Sequence, residues 1–372
     1  MNISRRKLLE TGAIGAAGLA AARAGLQNAQ AAPDTRNGAE PAAKYRPIQT
    51  PPSASLPMPK TTRRGEMLYR ELGSTGDEVS LLGLGGYHIG KQETEAASIK
   101  IIRTAIDRGI TFMDNCWDYH EGLSELRMGK ALKNGYRDKV FLMTKIDGRD
   151  KKTAAKQIDE SLARLDVDHV DLLQIHEILR MEDPDRIFAK GGAIEAVMEA
   201  RKQGKIRHLG FTGHKDPLVH LRMLGMAREN GVHFDGVMMP VNVMDAHFRS
   251  FQNIVLPVLV AEKIAPIAMK TFGDHFILDH VVKSNTATPI QLLHYSMSQP
   301  VSVVVTGIDS LKILDQAFEA AKTWQQMSVG GQKALLAKMV IPAKSGHYEK
   351  FKTTPQFDST ANNPEWLGNQ GA

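Results

Sequence analysis

Between residues 81 and 324 the chain alternates short apolar runs with amphipathic stretches eight times. The apolar runs centre on residues 81–84, 110–114, 140–145, 170–175, 207–211, 236–239, 266–269 and 301–305. Short apolar runs of this kind, set between turn residues, predict buried strands. Between them lie helical stretches at 95–108, 124–134, 153–165, 192–203, 217–229, 250–263 and 289–298, with a last one at 310–324. In the stretch 153–165, Ala154, Ala155, Ile158, Leu162 and Leu165 recur at helical spacing, as a helix laid on a sheet requires. Eight such units over about 245 residues predict an α/β fold of the (β/α)8 TIM-barrel type. A doubly wound sheet is the alternative. It would be expected to open its first helix with a glycine fingerprint, and Gly83-Leu84-Gly85-Gly86 lacks the spacing.

The flanks read differently. Met67-Leu68-Tyr69-Arg70 and Val79-Ser80-Leu81 bracket Gly73-Ser74-Thr75-Gly76-Asp77, the pattern of a β-hairpin ahead of the barrel. Residues 32–65 are rich in Pro, Ala and polar residues and predict an extended, disordered linker. The barrel domain is then 66–325, and 326–372 forms a C-terminal tail with a helix near 331–339. Aromatic residues in that tail, ending in Pro364-Glu365-Trp366-Leu367, predict that it packs on the barrel.

Composition changes the picture at the N-terminus. Ser4-Arg5-Arg6-Lys7-Leu8-Leu9 resembles a twin-arginine export signal, followed by an Ala/Gly-rich stretch from Thr11 to Ala22 and by Ala29-Gln30-Ala31 as a cleavage site. That stretch is far short of the ~20 apolar residues that span a bilayer. Residues 1–31 are therefore expected to be removed, leaving no stable membrane insertion and a periplasmic or otherwise exported protein. The translocation machinery would be its partner. This segment carries +3 of the formal +6 charge, leaving about +3 on the rest of the 372 residues. So small a charge, with no basic stripe interleaved with aromatics, argues against nucleic acid. A single cysteine, Cys116, excludes an intrachain disulfide and cysteine-rich metal sites.

The chemistry-bearing residues gather at strand ends. Asp114 ends the second run, Lys145 the third and His176 the fourth, while Tyr119 lies five residues past Asp114. In a parallel barrel those ends share one mouth, where such folds do their chemistry. An ammonium beside a phenol favours the phenolate and lowers its pKa from about 10, so Lys145 is expected to tune Tyr119. Tyr87, His88, Trp117 and His120 are further candidates for lining the mouth.

Asp114-x4-Tyr119, Lys145 and His176, together with Arg70-Glu71-Leu72-Gly73 and Asp171-Leu172-Leu173-Gln174-Ile175-His176, resemble the aldo-keto reductases over residues 67 to about 324. The resemblance implies a carbonyl reductase drawing hydride from NADP(H), with Tyr119 as general acid, Lys145 tuning it, Asp114 holding Lys145, and His176 orienting the carbonyl. It implies that Gly307-Ile308-Asp309-Ser310-Leu311-Lys312 and Asp315-Gln316 hold the adenosine phosphate, with Lys312 where an arginine is usual. The nicotinamide end departs from the family. Thr212-Gly213-His214 stands for Ser-Asn, Met238 for glutamine, and Met269 for the stacking tyrosine. His214, Asn242 and Lys270 are the candidates to replace those contacts, and no metal is expected. Two other functions compete: a metal-dependent hydrolase using His120, His176, His214 and Asp114, and a nucleotide-binding barrel without catalysis.

Overall fold

The computed structural model describes residues 56–369. The signal reading of residues 1–31 and most of the linker reading lie outside the described residues. Three short strands, β1 (Thr62–Arg64), β2 (Met67–Glu71) and β3 (Glu78–Ser80), form an antiparallel sheet. The sequence predicts only the hairpin β2–β3. Gly65, at φ +57°, turns the preceding residues back so that Arg63 pairs with Leu68.

Eight parallel strands then close a barrel: β4 (Leu82–Gly85), β5 (Phe112–Met113), β6 (Phe141–Ile146), β7 (Val170–Ile175), β8 (Ile206–Thr212), β9 (Gly236–Pro240), β10 (Ala265–Met269) and β11 (Val303–Gly307), with β11 returning to β4. Each predicted run has its strand, most within one or two residues of the expected bounds. The barrel interior is filled by Phe112, Phe141, Met143, Leu172, Met238, Ile267 and Val303, capped from below by Leu72 and Val79. Phe112 and Phe141 stack with ring centres 5.5 Å apart.

The antiparallel sheet seals the end where the barrel strands begin. Arg70 is buried and donates to the carbonyls of Met297, Gln299 and Val301 just before β11. Tyr69 donates to Gly109 O ahead of β5, and Asp77 pairs with Arg207 and His208 at the start of β8. Gly73 lies so close to β10 that a Cβ there would be 2.6 Å from Ala265 N.

Helices cover the outside. The helix Lys151–Leu165 is capped by Asp150, whose side chain accepts from Thr153 N, and ends at Asp166 in the left-handed region. Its inner face differs from the apolar pattern: Ala155 is exposed, while Gln157 is buried because its Oε1 accepts from Asp147 N and Gly148 N. The single helix expected at 250–263 is two, Phe251–Ile254 and Leu256–Ala261. Pro257 has no N–H to donate to Asn253 O, and its ring clashes with that carbonyl. Among the described residues no helix is long and apolar enough to cross a membrane.

The tail docks. Beyond the helix Val329–Ala337 it runs through short turns to the rim of the mouth. Lys352 is fully buried there, its ammonium 2.6 Å from Asp245 Oδ1 and 2.9 Å from Glu349 Oε1. Lys215 holds Thr354 O and Asp358, and Arg149 N donates to Leu367 O.

Candidate active site

Period-two alternation delivers Lys145 to the mouth. Phe141 and Met143 on β6 point into the barrel, and Lys145 is the next residue of that row. Its ammonium has three acceptors: Asp114 Oδ1 at 2.6 Å, Asn115 O at 2.7 Å and the Tyr119 hydroxyl at 3.1 Å. All three ammonium protons are thereby used. Because Lys145 donates to the phenol oxygen, the Tyr119 O–H is left to donate elsewhere, and no described residue accepts it. Gly86 packs against Asp114, whose carbonyl would lie 2.3 Å from a Cβ at that position.

The expected lowering of Tyr119 by Lys145 does not hold. Burial first, then the charges of Asp114, Cys116, Asp118 and Glu177, push the phenol well above its ordinary value. Burial is the main reason, and Asp114, paired with Lys145, adds a negative charge beside the phenol. Burial opposes the charge on Lys145 as well, yet Asp114 outweighs it and raises that group. Tyr119 is thus a neutral phenol, a proton donor rather than a ready phenolate.

His176 follows β7 and lies beside Tyr119, ring centres 6.0 Å apart and nearly perpendicular. Three groups converge on its Nδ1: Asp147 Oδ1 at 2.9 Å, Cys116 Sγ at 3.2 Å and Asp118 Oδ1 at 3.7 Å. Burial disfavours the imidazolium, but Asp118 and Asp147 outweigh it and raise His176 above its ordinary value. Burial and Asp147 in turn push Asp118 up to about 6. Nδ1 is thereby committed to the acids. Among the described residues this is the group of metal-type ligands that converges; His120, His214 and Asp114 do not join His176 around one point.

These groups open into one cavity of about 380 Å³. It is lined by Asp114, Tyr119, Lys145, His176, Thr212, His214, Lys270, Gly307 and Gln316, so nine of the sequence-predicted residues meet there. Thr212 is buried and its hydroxyl has no partner. His214 faces Asp358 of the tail at 3.5 Å, and burial lowers its pKa against that pull. Ser310 caps the helix Leu311–Thr323, whose first turns reach the cavity through Ile313 and Gln316.

Three predicted residues lie elsewhere. Asn242 is buried under the rim: its amide donates to Lys270 O and Glu349 while its oxygen accepts from Met244 N and Asp245 N. Asp315 pairs with Arg108 at 2.6 Å, and Lys312 is exposed on the helix. Of the further aromatic candidates, Tyr87 and His88 line the cavity. Trp117 instead donates to Glu160 and packs on Trp366, and His120 contacts Tyr87 O.

The sequence reading missed Asp147, Asp118 and Glu177, as well as Gln356, Phe357 and Ser359 of the tail. Asp147 had a signal: it stands two residues beyond Lys145, on the same row. The tail residues had none, since only the folded chain brings them to the rim.

On one side the cavity has groups that could hold a phosphate-bearing ligand. The helix N-terminus after Ser310 offers backbone N–H groups and a positive dipole end, and the unsatisfied Thr212 hydroxyl waits for a partner. Gly307 is held tight there, since a Cβ would strike His88 at 2.3 Å.

Comparison with known proteins identifies the family. The aldo/keto reductase family model matches residues 81–329. Aldo-keto reductase YhdN of Bacillus subtilis is 35% identical over 161 residues, covering 39% of this chain and 47% of the relative. L-galactose dehydrogenase of Arabidopsis thaliana is 35% identical over 156 residues, covering 39% and 48%. The chain thus spans about half the length of these curated relatives. In structure it resembles the holo form of an aldo-keto reductase from Bacillus halodurans, with TM-score 0.61 at 20% identity over 73% of this chain and 95% of the other. With two thirds of its length matched and a closed eight-stranded parallel barrel, the chain belongs to the aldo-keto reductase family of oxidoreductases.

Proposed function

We propose that this protein reduces an aldehyde or ketone to the alcohol, with Tyr119 as proton donor and NADPH as hydride source. One observation carries the reading: a neutral phenol, 3.1 Å from a buried ammonium, with its proton free to leave toward the cavity. Hydride transfer to a carbonyl carbon places negative charge on the oxygen, and that charge must be met by preorganised donors. Tyr119 meets it by giving up its proton, and the adjacent Lys145 then stabilises the phenolate. His176, held by Asp147 through Nδ1, offers its other nitrogen to the same oxygen and fixes where the carbonyl sits. Bound NADPH supplies the hydride; the side of the cavity formed by Thr212, Gly307, Gln316 and the helix after Ser310 would hold it.

The preference for NADPH over NADH rests on Lys312, placed at the start of that helix, where a lysine meets phosphate as a point charge. Export to the periplasm or beyond is part of the proposal, supported by the resemblance of Ser4-Arg5-Arg6-Lys7-Leu8-Leu9 to a twin-arginine signal. The test is reduction of a panel of small aldehydes by protein lacking residues 1–31, followed by NADPH consumption. Turnover that vanishes in Tyr119→Phe while NADPH still binds supports the reading. Tight NADPH binding with no turnover in the wild type would instead mark a nucleotide-binding barrel without catalysis.

A further inference from the structure

Among the described residues, Lys270 is the one lysine lining the cavity that the proposed chemistry leaves without work. It follows β10 with φ +60°, a left-handed conformation that is strained for a residue with a side chain. It lines the same cavity as Tyr119 and His176. Its ammonium sits 4.9 Å from the ring centre of Phe357 and 5.6 Å from that of Phe351, both supplied by the tail. Among the described residues no carboxylate comes within ion-pair distance of it.

Lys270 is half-buried, and the two fully buried lysines are paired. Lys145 holds Asp114 at 2.6 Å and Lys352 holds Asp245 at 2.6 Å. Burying an ammonium without a counter-ion is costly, so such groups are normally matched by a partner. The nearby acids do not fill this role. Glu177 already accepts from Ser359 Oγ at 2.8 Å and Thr360 N at 3.0 Å, and Asp274 acts on Lys270 only at longer range. Burial accordingly pulls Lys270 down from its ordinary value, with Lys145 across the mouth adding to the fall. An anionic ligand would relieve both effects.

Accepting the reductase reading above, we infer that Lys270 recognises a carboxylate on the substrate, so that this enzyme acts on carbonyl compounds bearing an acid group. The placement favours the substrate over the cofactor as the source of the anion. Lys270 lies against the aromatic tail and is influenced by Glu177 and Lys145 on the β6–β7 side. The candidate phosphate-binding elements, Gly307 and the helix after Ser310, follow β11, the strand next to β10, so the cofactor diphosphate is the competing source of the anion that the experiment must separate. Phe351 and Phe357 add apolar faces suited to a carbon body between the acid group and the reacting carbonyl.

The experiment compares para-formylbenzoate with its methyl ester, two aldehydes alike in shape and different in charge. A hydrogen-bonded charge pair predicts that wild-type kcat/KM favours the acid by about tenfold or more. Lys270→Met should bring that ratio to about one with NADPH affinity unchanged, and Lys270→Arg should keep the preference. A ratio unaffected by Lys270→Met overturns the inference. So does a variant that binds NADPH more weakly and loses both substrates equally, because Lys270 would then serve the cofactor diphosphate. If the wild type reduces neither aldehyde, the reductase reading fails for these compounds, and calorimetry with benzoate and benzamide decides the subsite alone. Benzoate bound by the wild type and lost in Lys270→Met sustains it, and equal behaviour of the two ligands sinks it.

Discussion

Lys145 and Asp114 form a pair 2.6 Å apart in which only 1% of the lysine side chain is exposed. Removing one partner of such a pair strands a buried charge. Lys145→Met should therefore cost about 3–5 kcal/mol of stability in addition to activity. The double variant Asp114→Asn with Lys145→Met should recover much of that stability and none of the turnover. Urea denaturation of the three proteins checks both statements.

The raised Tyr119 phenol makes the two directions of the reaction unequal in pH. Reduction needs the protonated phenol, which persists well past neutrality, so no fall in rate assignable to Tyr119 is expected there. Alcohol oxidation needs the phenolate and should climb as pH rises. Tyr119→Phe should lower kcat for reduction by about 10²–10⁴-fold. Rate profiles in both directions, measured on one preparation, test the asymmetry.

Asp147 is predicted to act through His176. The imidazole is faced by Asp118, Asp147, Glu177 and Cys116, and it is raised as a result. A raised histidine contributes stability that is fully present below its unfolded value, about 6.5, and is lost as pH rises through the higher folded value. Asp147→Asn should lower the folded value, narrowing that window and moving any His176-dependent fall in the reduction rate to lower pH. A direct NMR titration of His176 in both proteins would show the shift; an unchanged titration would remove Asp147 from this role.

The anchor of the tail carries its own pH dependence. Burial pushes Glu349 up to about 7, with Lys352 pulling it down and Asp245 adding to the rise. The folded chain therefore holds this proton more tightly than the unfolded one. The penalty for its charge is absent below about 4.5, grows through 7 and is constant above. Glu349→Gln should raise the melting temperature at pH 8 and leave it nearly unchanged at pH 4. Lys352→Met should do the opposite at neutral pH, because it leaves Asp245 and Glu349 facing each other without a cation.

Export is tested by Arg5→Lys together with Arg6→Lys. The pair should hold the protein in the cytoplasm, as read by fractionation and by retention of residues 1–31. Export of the variant would show that another signal is used.

The barrel was legible because alternation is a local property. Apolar runs and helical spacing mark each unit, and the row Phe141, Met143, Lys145 carries the chemistry to the strand end by the same rule. What was not legible depends on distance in the chain. Gln157 sits on the inner face of its helix because it holds the backbone of Asp147 and Gly148, residues its own spacing does not point to. Phe357 and Ser359 reach the cavity from a segment without periodicity. Asn242, matched by position, is consumed by backbone and tail contacts that no spacing reveals. Tyr119 shows a different limit: a motif brings a lysine near, but only the fold shows how far burial and the surrounding acids raise the phenol.

The sealed floor has a kinetic consequence. With Leu72, Val79 and Arg70 stopping the far end among the described residues, ligands come in from the mouth side, and two of them must share that approach. Whichever lies deeper enters first and departs last, and product inhibition should reveal a fixed order of arrival. Turnover is then limited by how quickly the doorway clears as well as by the speed of the hydride step.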